Sequence, residues 1–393
     1  MKSDSAARPA VLPWALIGAA CLGSFAATSS GTTRAPFLLD MAHDLDVSMP
    51  VVANLVSLTA TAWGVTSALG GWLSDVIGRQ PLLVGGLFAL SLAVLAQALA
   101  GSFFWVAVWA TVGGGCAGAF MGVVFAEVSG RVPDSQRGRA LGWVMSGQSL
   151  TLVIGVPMAA AVGSLIGWRG WLVCLGAMSL IASLSLFATV GRGTAGHRRG
   201  MVRPSLRAAL PPKVLGLLGT GIAERICYGL AAVYFATFLQ ATFHLSLVET
   251  AIPLAVFALG NVAGTVLGGQ LADRVRDRLL TFAVAMALSA GAAIAHFMWH
   301  PSVAISVALG FVYVLLNALG RPSYMAALAA VPEDVRGTVL GLNGATASVG
   351  WIGAAALGAV MIGWVGFEGF GPLAAALALA SAAGALLGRR RKS

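Results

Sequence analysis

The heptapeptide Leu69-Gly-Gly-Trp-Leu-Ser-Asp75 returns as Leu267-Gly-Gly-Gln-Leu-Ala-Asp273, an offset of 198 residues. A second segment, Val132-Pro-Asp-Ser-Gln-Arg-Gly138, returns as Val331-Pro-Glu-Asp-Val-Arg-Gly337 at an offset of 199, and Leu141-Gly142 matches Leu340-Gly341 at that same offset. Two independent matches at nearly one spacing mark a duplicated unit. Each half must then adopt the same architecture, and corresponding segments must occupy corresponding places.

Long apolar runs fill the unit. A helix needs roughly 20 mostly apolar residues to cross a bilayer. Twelve such segments are read near 12–36, 50–73, 82–100, 102–128, 139–164, 168–190, 213–240, 248–273, 279–298, 302–329, 337–361 and 366–388. Pro13, Pro50, Pro81, Pro212 and Pro301 sit at or near segment starts, where the missing N–H of proline costs nothing. Only 10% of the 393 residues are charged, against roughly 25% in a soluble domain, so lipid must cover much of the surface. The expected fold is an all-α membrane protein of twelve transmembrane helices in two pseudo-symmetric six-helix bundles. The divisions are 1–190, a basic cytoplasmic linker 191–212, and 213–393. Lys2 and Arg8 ahead of an apolar run, with Phe25-Ala26-Ala27, have the outline of a removable signal. The repeat, however, requires that segment as its first helix.

With the N-terminus in the cytoplasm, 20 of the 24 Lys and Arg fall in cytoplasmic stretches, as the positive-inside rule demands. Both termini are therefore expected there, in a multi-pass protein of a bacterial inner membrane. The net charge of +10 is spread through short connections rather than gathered on a soluble face, which excludes a nucleic-acid partner. Cys21, Cys116, Cys174 and Cys227 lie inside apolar segments and read as small buried hydrophobes without a disulfide or metal role. His296 and His300, spaced i, i+4, are read at the outer end of segment 9 in an interfacial role. No phosphate-binding loop of the ATP-driven kind is present. No catalysis, cofactor or metal is expected.

Polar residues inside apolar segments mark candidate solute sites. In segment 10, Tyr313, Asn317, Arg321 and Tyr324 follow helical spacing and share one face. Pro322 frees a backbone carbonyl beside the arginine. A cavity site fits this arrangement; the alternative is an Arg321 that snorkels to the surface. In segment 7, Glu224 shares a face with Tyr228 and neighbours Arg225. A carboxylate there either carries a proton or forms a static ion pair with Arg225 or Arg321. Segment 1 offers Ser24, Thr28 and Thr32, which line a path or back-bond to their own helix. Arg34 attracts an anion or pairs with Asp40.

Gly71-Trp-Leu-Ser-Asp-Val-Ile-Gly-Arg-Gln-Pro-Leu-Leu83 resembles the loop 2–3 signature of the major facilitator superfamily, and the resemblance covers the chain. It implies a gate on the cytoplasmic face. Gly71 allows close backbone approach there, and Gly78 and Arg79 complete the motif. Asp75 clasps the helix start near Arg336, and Asp273 clasps the one near Arg137 and Arg139, because a helix N-terminus attracts a carboxylate. The bland alternative is that these are topology charges and helix caps. The second copy keeps Asp273 and Arg274 but has Arg276 where the second glycine belongs. Gly155-Val-Pro157, with Gly163 and Gly167-Trp-Arg169, resembles the drug and metabolite proton antiporters, in particular the sugar and purine efflux branch. The chain departs from that group at Ala110, where many members carry an arginine, and at Val156, which separates a usually adjacent Gly-Pro. The implied function is proton-coupled efflux of a small organic solute by alternating access. Arg34, Arg225 and Arg321 support the alternative of organic-anion uptake or exchange. A non-transporting membrane sensor is a third, remote reading. The expected partners are a small-molecule solute, protons and the lipid bilayer, and a monomer suffices.

Overall fold

The computed structural model describes residues 13–132, 137–190, 212–328, 330 and 333–390. The linker expected at 191–212 falls almost wholly outside the described residues. No strand occurs among the described residues.

Helix α1 (Trp14–Thr32) is followed by an elbow, a 3-10 turn at Ala35–Phe37 and a short α2 (Leu38–Asp44). Next come α3 (Met49–Ile77), α4 (Gly86–Leu99), α5 (Phe103–Gly130), α6 (Arg137–Leu150) and α7 (Val156–Thr189). Pro50 occupies the first turn of α3, and Gly78 stops that helix with a φ of 90°, a conformation open to glycine. A π-helical turn at Thr151–Gly155 joins α6 to α7. The second set is α8 (Pro212–Phe243), α9 (Ala251–Arg274), α10 (Arg278–Met298), α11 (Val303–Leu328), α12 (Glu333–Trp364) and α13 (Phe370–Arg390). Asp277 caps α10 by accepting from the Leu280 N–H at 3.0 Å.

Ten helical stretches among the described residues are long and apolar enough to cross a membrane. One of them, 140–189, has 50 residues. At 1.5 Å per residue that is roughly 75 Å, over twice the hydrocarbon thickness. The chain resolves this at Gly167, whose φ of 70° and ψ of 173° break the helix in two. Leu99, Leu165, Ile252, Leu288, Phe187 and Trp364 point outward and exposed. A surface so apolar is stable against lipid, not water. The protein is a multi-pass helical membrane protein.

The helices pack in two groups, α1 to α7 and α8 to α13. Within each, one seam brings two backbones together. Methyl groups on Gly114, Gly118 and Gly122 of α5 would meet the carbonyls of Thr59, Trp63 and Ser67 on α3 at 2.5, 2.4 and 2.7 Å. In the second group, Gly260, Gly264 and Gly268 of α9 would meet those of Phe311, Leu315 and Leu319 on α11 at 2.8, 2.3 and 2.2 Å. The two seams correspond under the repeat, yet the glycines stand on opposite partners. Small residues at every fourth position permit this approach, and any side chain would force the helices apart.

Between the groups, α3 lies along α12, and the Ser57 hydroxyl donates to the Ile352 carbonyl at 3.3 Å. On the elbow side, the Gln240 amide of α8 donates to the Pro36 carbonyl at 3.2 Å. The π turn and α7 pack on α9, whereas α6, the other part of the same span, makes at most a marginal contact with α9 among the described residues. The groups thus meet on the elbow side; Gly78 and Arg79 lie on the opposite side.

Candidate functional site

The site grows from two facing helices. Along α11, Tyr313, Asn317 and Tyr324 are buried; the two tyrosines are turned toward α8, and the Asn317 amide lies against Met286 of α10. Pro322 lies inside α11, so the Ala318 carbonyl one turn earlier lacks its helical donor. From α8 comes Glu224, 1% exposed. The Nε and Nη2 of Arg321 donate to Glu224 Oε1 at 3.1 and 2.8 Å. The Nε of Arg225 lies 3.5 Å from the other carboxylate oxygen. Two guanidinium groups therefore share one carboxylate, and the cluster carries a net positive charge.

Arg321 has further partners. Its Nη1 donates to Asn261 Oδ1 at 3.3 Å and its Nη2 to Asn317 Oδ1 at 3.4 Å. Its guanidinium carbon lies 5.0 Å from the centre of the Tyr228 ring, within cation–π range. Tyr228 meets Phe257 of α9 and Trp351 of α12, the latter edge-on at 5.8 Å. Gly350 lets Arg225 lie against α12, since a methyl group there would sit 2.3 Å from the Arg225 Cβ. Tyr313 and Tyr324 spend their hydroxyls on α8: Tyr313 donates to the Cys227 carbonyl at 2.6 Å and Tyr324 to the Leu217 carbonyl at 3.0 Å. Geometry thus joins Glu224, Arg225, Tyr228, Asn317 and Arg321 in one cluster, with the two tyrosines locking its supporting helices. Asn261, Phe257 and Trp351 belong to it and were not singled out in the sequence. Asn261 had a signal, an amide next to the glycine seam of an apolar helix.

In the first group the expected residues disperse. The Thr32 hydroxyl bonds back to the Thr28 carbonyl at 3.0 Å, and the Thr28 hydroxyl is buried without a partner. Arg34, 3% exposed, does not pair with Asp40. Its Nη1 donates to Thr59 Oγ1 at 2.7 Å and its Nη2 to Gln97 Oε1 at 3.5 Å. Thr59 Oγ1 also lies 3.5 Å from the Ala110 carbonyl. A guanidinium from the elbow after α1 thus stands beside position 110, where the antiporter pattern places an arginine on the fourth span. The elbow is held by Asp44, which accepts from Trp168 Nε1 at 3.1 Å and forms an ion pair with Arg169. Phe37 lies over Gly163.

At the motif side, Arg79 donates to the Ala126 carbonyl at 3.3 Å and pairs with Glu127 at 3.5 Å. Glu127, 2% exposed, also takes the Nε of Arg131 at 2.6 Å. Gly71, Asp75, Arg137, Asp273 and Arg336 sit on helices with a described backbone, but their side chains lie outside the described residues. Arg274 is exposed. The guanidinium that occupies the place of Arg79 in the second group is Arg278, which donates to the Ala326 carbonyl at 3.5 Å. His296, in the last turn of α10, is fully buried among protein side chains.

An all-helical membrane fold with a charge cluster buried between paired helices is what a membrane transporter of small solutes requires. The sequence pattern of the Major Facilitator Superfamily matches the chain twice, over residues 20–220 and 217–393, and the chain belongs to that family. Its role is transport across a membrane, not catalysis. A chloramphenicol resistance protein of Streptomyces lividans is 27% identical over 311 residues, covering 75% of this chain and 79% of its own. The inner membrane transport protein YdhP of Escherichia coli (strain K12) is 27% identical over 256 residues, covering 65% of this chain and 66% of its own. Among solved structures, a bacterial homolog to the human lysosomal transporter Spinster, inward-facing and occupied, superposes with a TM-score of 0.79 at 17% identity over 98% of both chains.

Proposed function

We propose that this transporter is a proton-coupled exporter of a small organic solute, working by alternating access. Its twelve spans form two halves, 1–190 and 213–393, joined by the linker 191–212. The break at Gly167 divides one long stretch into two spans, and the 19-residue α1 supplies another. The family pattern matching once on each half supports the division. The motif side is the cytoplasm, by the distribution of basic residues, and the membrane is a bacterial inner membrane, in keeping with the relative YdhP. One chain suffices.

The observation that carries the reading is the Glu224–Arg321 pair, buried between α8 and α11 and edged by Tyr228 and Trp351. Breaking a buried ion pair by removing one partner costs about 3–5 kcal/mol. A change of protonation at Glu224 therefore acts on a strong contact, and the pair serves as the switch of this reading. With Glu224 ionised, the cluster takes up the solute. A proton on Glu224 cancels its charge, leaves Arg321 to Asn261 and Asn317, and expels the solute, so proton and solute occupy the site in alternation, as export against an inward proton gradient requires. The name of the Streptomyces relative supports efflux of a small organic compound. At the motif side, Asp75 and Asp273 clasp helix starts near Arg336 and Arg137, and Gly71, Gly78 and Arg79 with Arg274 or Arg278 complete the gate.

The test is transport in reconstituted vesicles with an imposed proton gradient, using labelled neutral, cationic and anionic solutes. Gradient-driven movement is expected, and Glu224→Gln abolishes it. A variant that still moves solute at the normal driven rate rules out Glu224 as the carrier.

A second reading, organic-anion exchange, rests on charge. Arg225 and Arg321 face one carboxylate, and Arg34 faces none among the described residues. Selective transport of anions, lost in Arg321→Ala, supports that reading over the first.

A further inference from the structure

One titratable side chain stands apart from this cluster. His296 of α10 is fully buried, and neither ring nitrogen has a partner. His300 Nδ1 and Ser306 Oγ, also buried atoms, are unpartnered as well. The Ser306 backbone lies beside the His296 ring. Four unsatisfied polar atoms in one neighbourhood are uncommon in a folded interior. They offer enough partners to hold an internal water.

The surroundings are aromatic. The rings of Phe235 and Phe238 on α8 lie 5.4 and 5.5 Å from His296, and Tyr313 on α11 lies nearly parallel at 6.2 Å. Phe297 is the neighbour at 4.5 Å. A neutral imidazole gains little here that phenylalanine would not give. A neutral imidazole carries one N–H donor and one acceptor nitrogen, so a proton taken at one nitrogen can leave from the other. His300, partly exposed at the end of α10, packs on the same Phe238 ring at 5.8 Å and on Phe243. The other titratable groups around the cluster are Tyr313 on α11, His244 after Phe243, and exposed Glu368 between Phe367 and Phe370. No carboxylate contacts either ring among the described residues.

Toward the interior the path continues. Tyr313 donates to the Cys227 carbonyl, and Cys227 lies three residues beyond Glu224 on α8. Asn317, a turn further along α11, binds Arg321. Polar groups therefore file from His300 through His296, Tyr313 and Asn317 to the Glu224–Arg321 pair.

We propose that His300 and His296 relay protons between the elbow side of the membrane and Glu224. The proposal rests on the proton-coupled reading above and adds the route to it. Each step passes a proton between an imidazole nitrogen and bridging water, and the last passes it between water and a Glu224 carboxylate oxygen, with no other bond changed.

The experiment compares wild type with His296→Phe, a ring that the aromatic surroundings can hold, in the same vesicles. Two rates are read for each: solute movement driven by a proton gradient, and solute–solute exchange at equal pH. His296→Phe is expected to lose the driven rate and keep exchange. Driven transport equal to wild type overturns the relay while leaving proton coupling intact. Loss of exchange as well assigns His296 a structural role and overturns the relay too. A wild-type protein indifferent to the gradient removes the proton-coupled reading itself, and the relay with it.

Discussion

Arg278 holds in the second half the place that Arg79 holds in the first. Each donates from Nη1 to a carbonyl of the fourth helix of its half, Ala126 at 3.3 Å and Ala326 at 3.5 Å. The next residue on that helix differs. It is Glu127 beside Arg79 and Ala327 beside Arg278. Only the first arginine therefore gains a carboxylate, at 3.5 Å. Arg79 is about a third exposed, so water screens the pair and discounts it. The expected cost of Arg79→Ala is about 1–2 kcal/mol, against less than about 1 kcal/mol for Arg278→Ala. Thermal unfolding of the two variants in detergent measures the difference. Equal losses would mean that Glu127 does not distinguish the halves.

That comparison also shows what the sequence could not supply. Local matching aligned Asp273 with the Asp75 of the first motif and set Arg276 at the second glycine, which leaves Asp277 at the place of the motif arginine. The connection after Asp273 has its own length and capping, with Asp277 closing the start of α10, so the functional guanidinium arrives at 278. Spacing along one helix was legible in part: Tyr313, Arg321 and Tyr324 of the stripe reach α8, whereas the Asn317 amide meets Met286 of α10. Partners from other helices were not. Arg34 meets Thr59 and Gln97 instead of nearby Asp40 because burial, not sequence distance, selects its contacts. For His296 the sequence shows a position near a helix end, but not that α8 and α11 pack around it.

The glycine seams predict opposite effects for one kind of substitution. A methyl group at Gly264 would sit 2.3 Å from the Leu315 carbonyl, a backbone atom that cannot turn aside. Gly291, within α10, has open space where a methyl group would go. Gly264→Ala should separate α9 from α11 and destabilise by about 1–3 kcal/mol, the range for overpacking. Gly291→Ala should stabilise by about 0.5–1 kcal/mol through helix propensity. Melting temperatures moving in these two directions are the expected outcome. A neutral Gly264→Ala would show that the seam is looser than its geometry.

Arg34 separates the two functional readings. Its guanidinium is buried against a hydroxyl and an amide, its Nε is unpartnered, and the nearby Gln97 Nε2 is unpartnered too. An anionic solute reaching this end of α1 would find charge-assisted donors. Under organic-anion exchange, Arg34→Gln should raise KM for anionic solutes about tenfold, equivalent to about 1.4 kcal/mol, with neutral solutes unaffected. Uniform loss for all solutes would make Arg34 a structural residue.

The elbow supplies the last prediction. Pro36 accepts from Gln240 across the two groups of helices at 3.2 Å. The segment around it is anchored to the first group, with Phe37 over Gly163 and Asp44 held by Trp168 and Arg169. Any opening on this side must therefore break the Gln240 contact while the elbow travels with α7. On the motif side, α6 makes at most a marginal contact with α9 among the described residues. Alternating access requires the elbow side to close in one state and open in another. Cysteines at 36 and 240, in a chain whose four native cysteines are replaced, should react with a short bifunctional linker. Transport should then stop and return when a cleavable linker is cut. Single cysteines treated identically control for modification alone. Normal transport by the linked protein would show that the elbow and α8 do not part during the cycle.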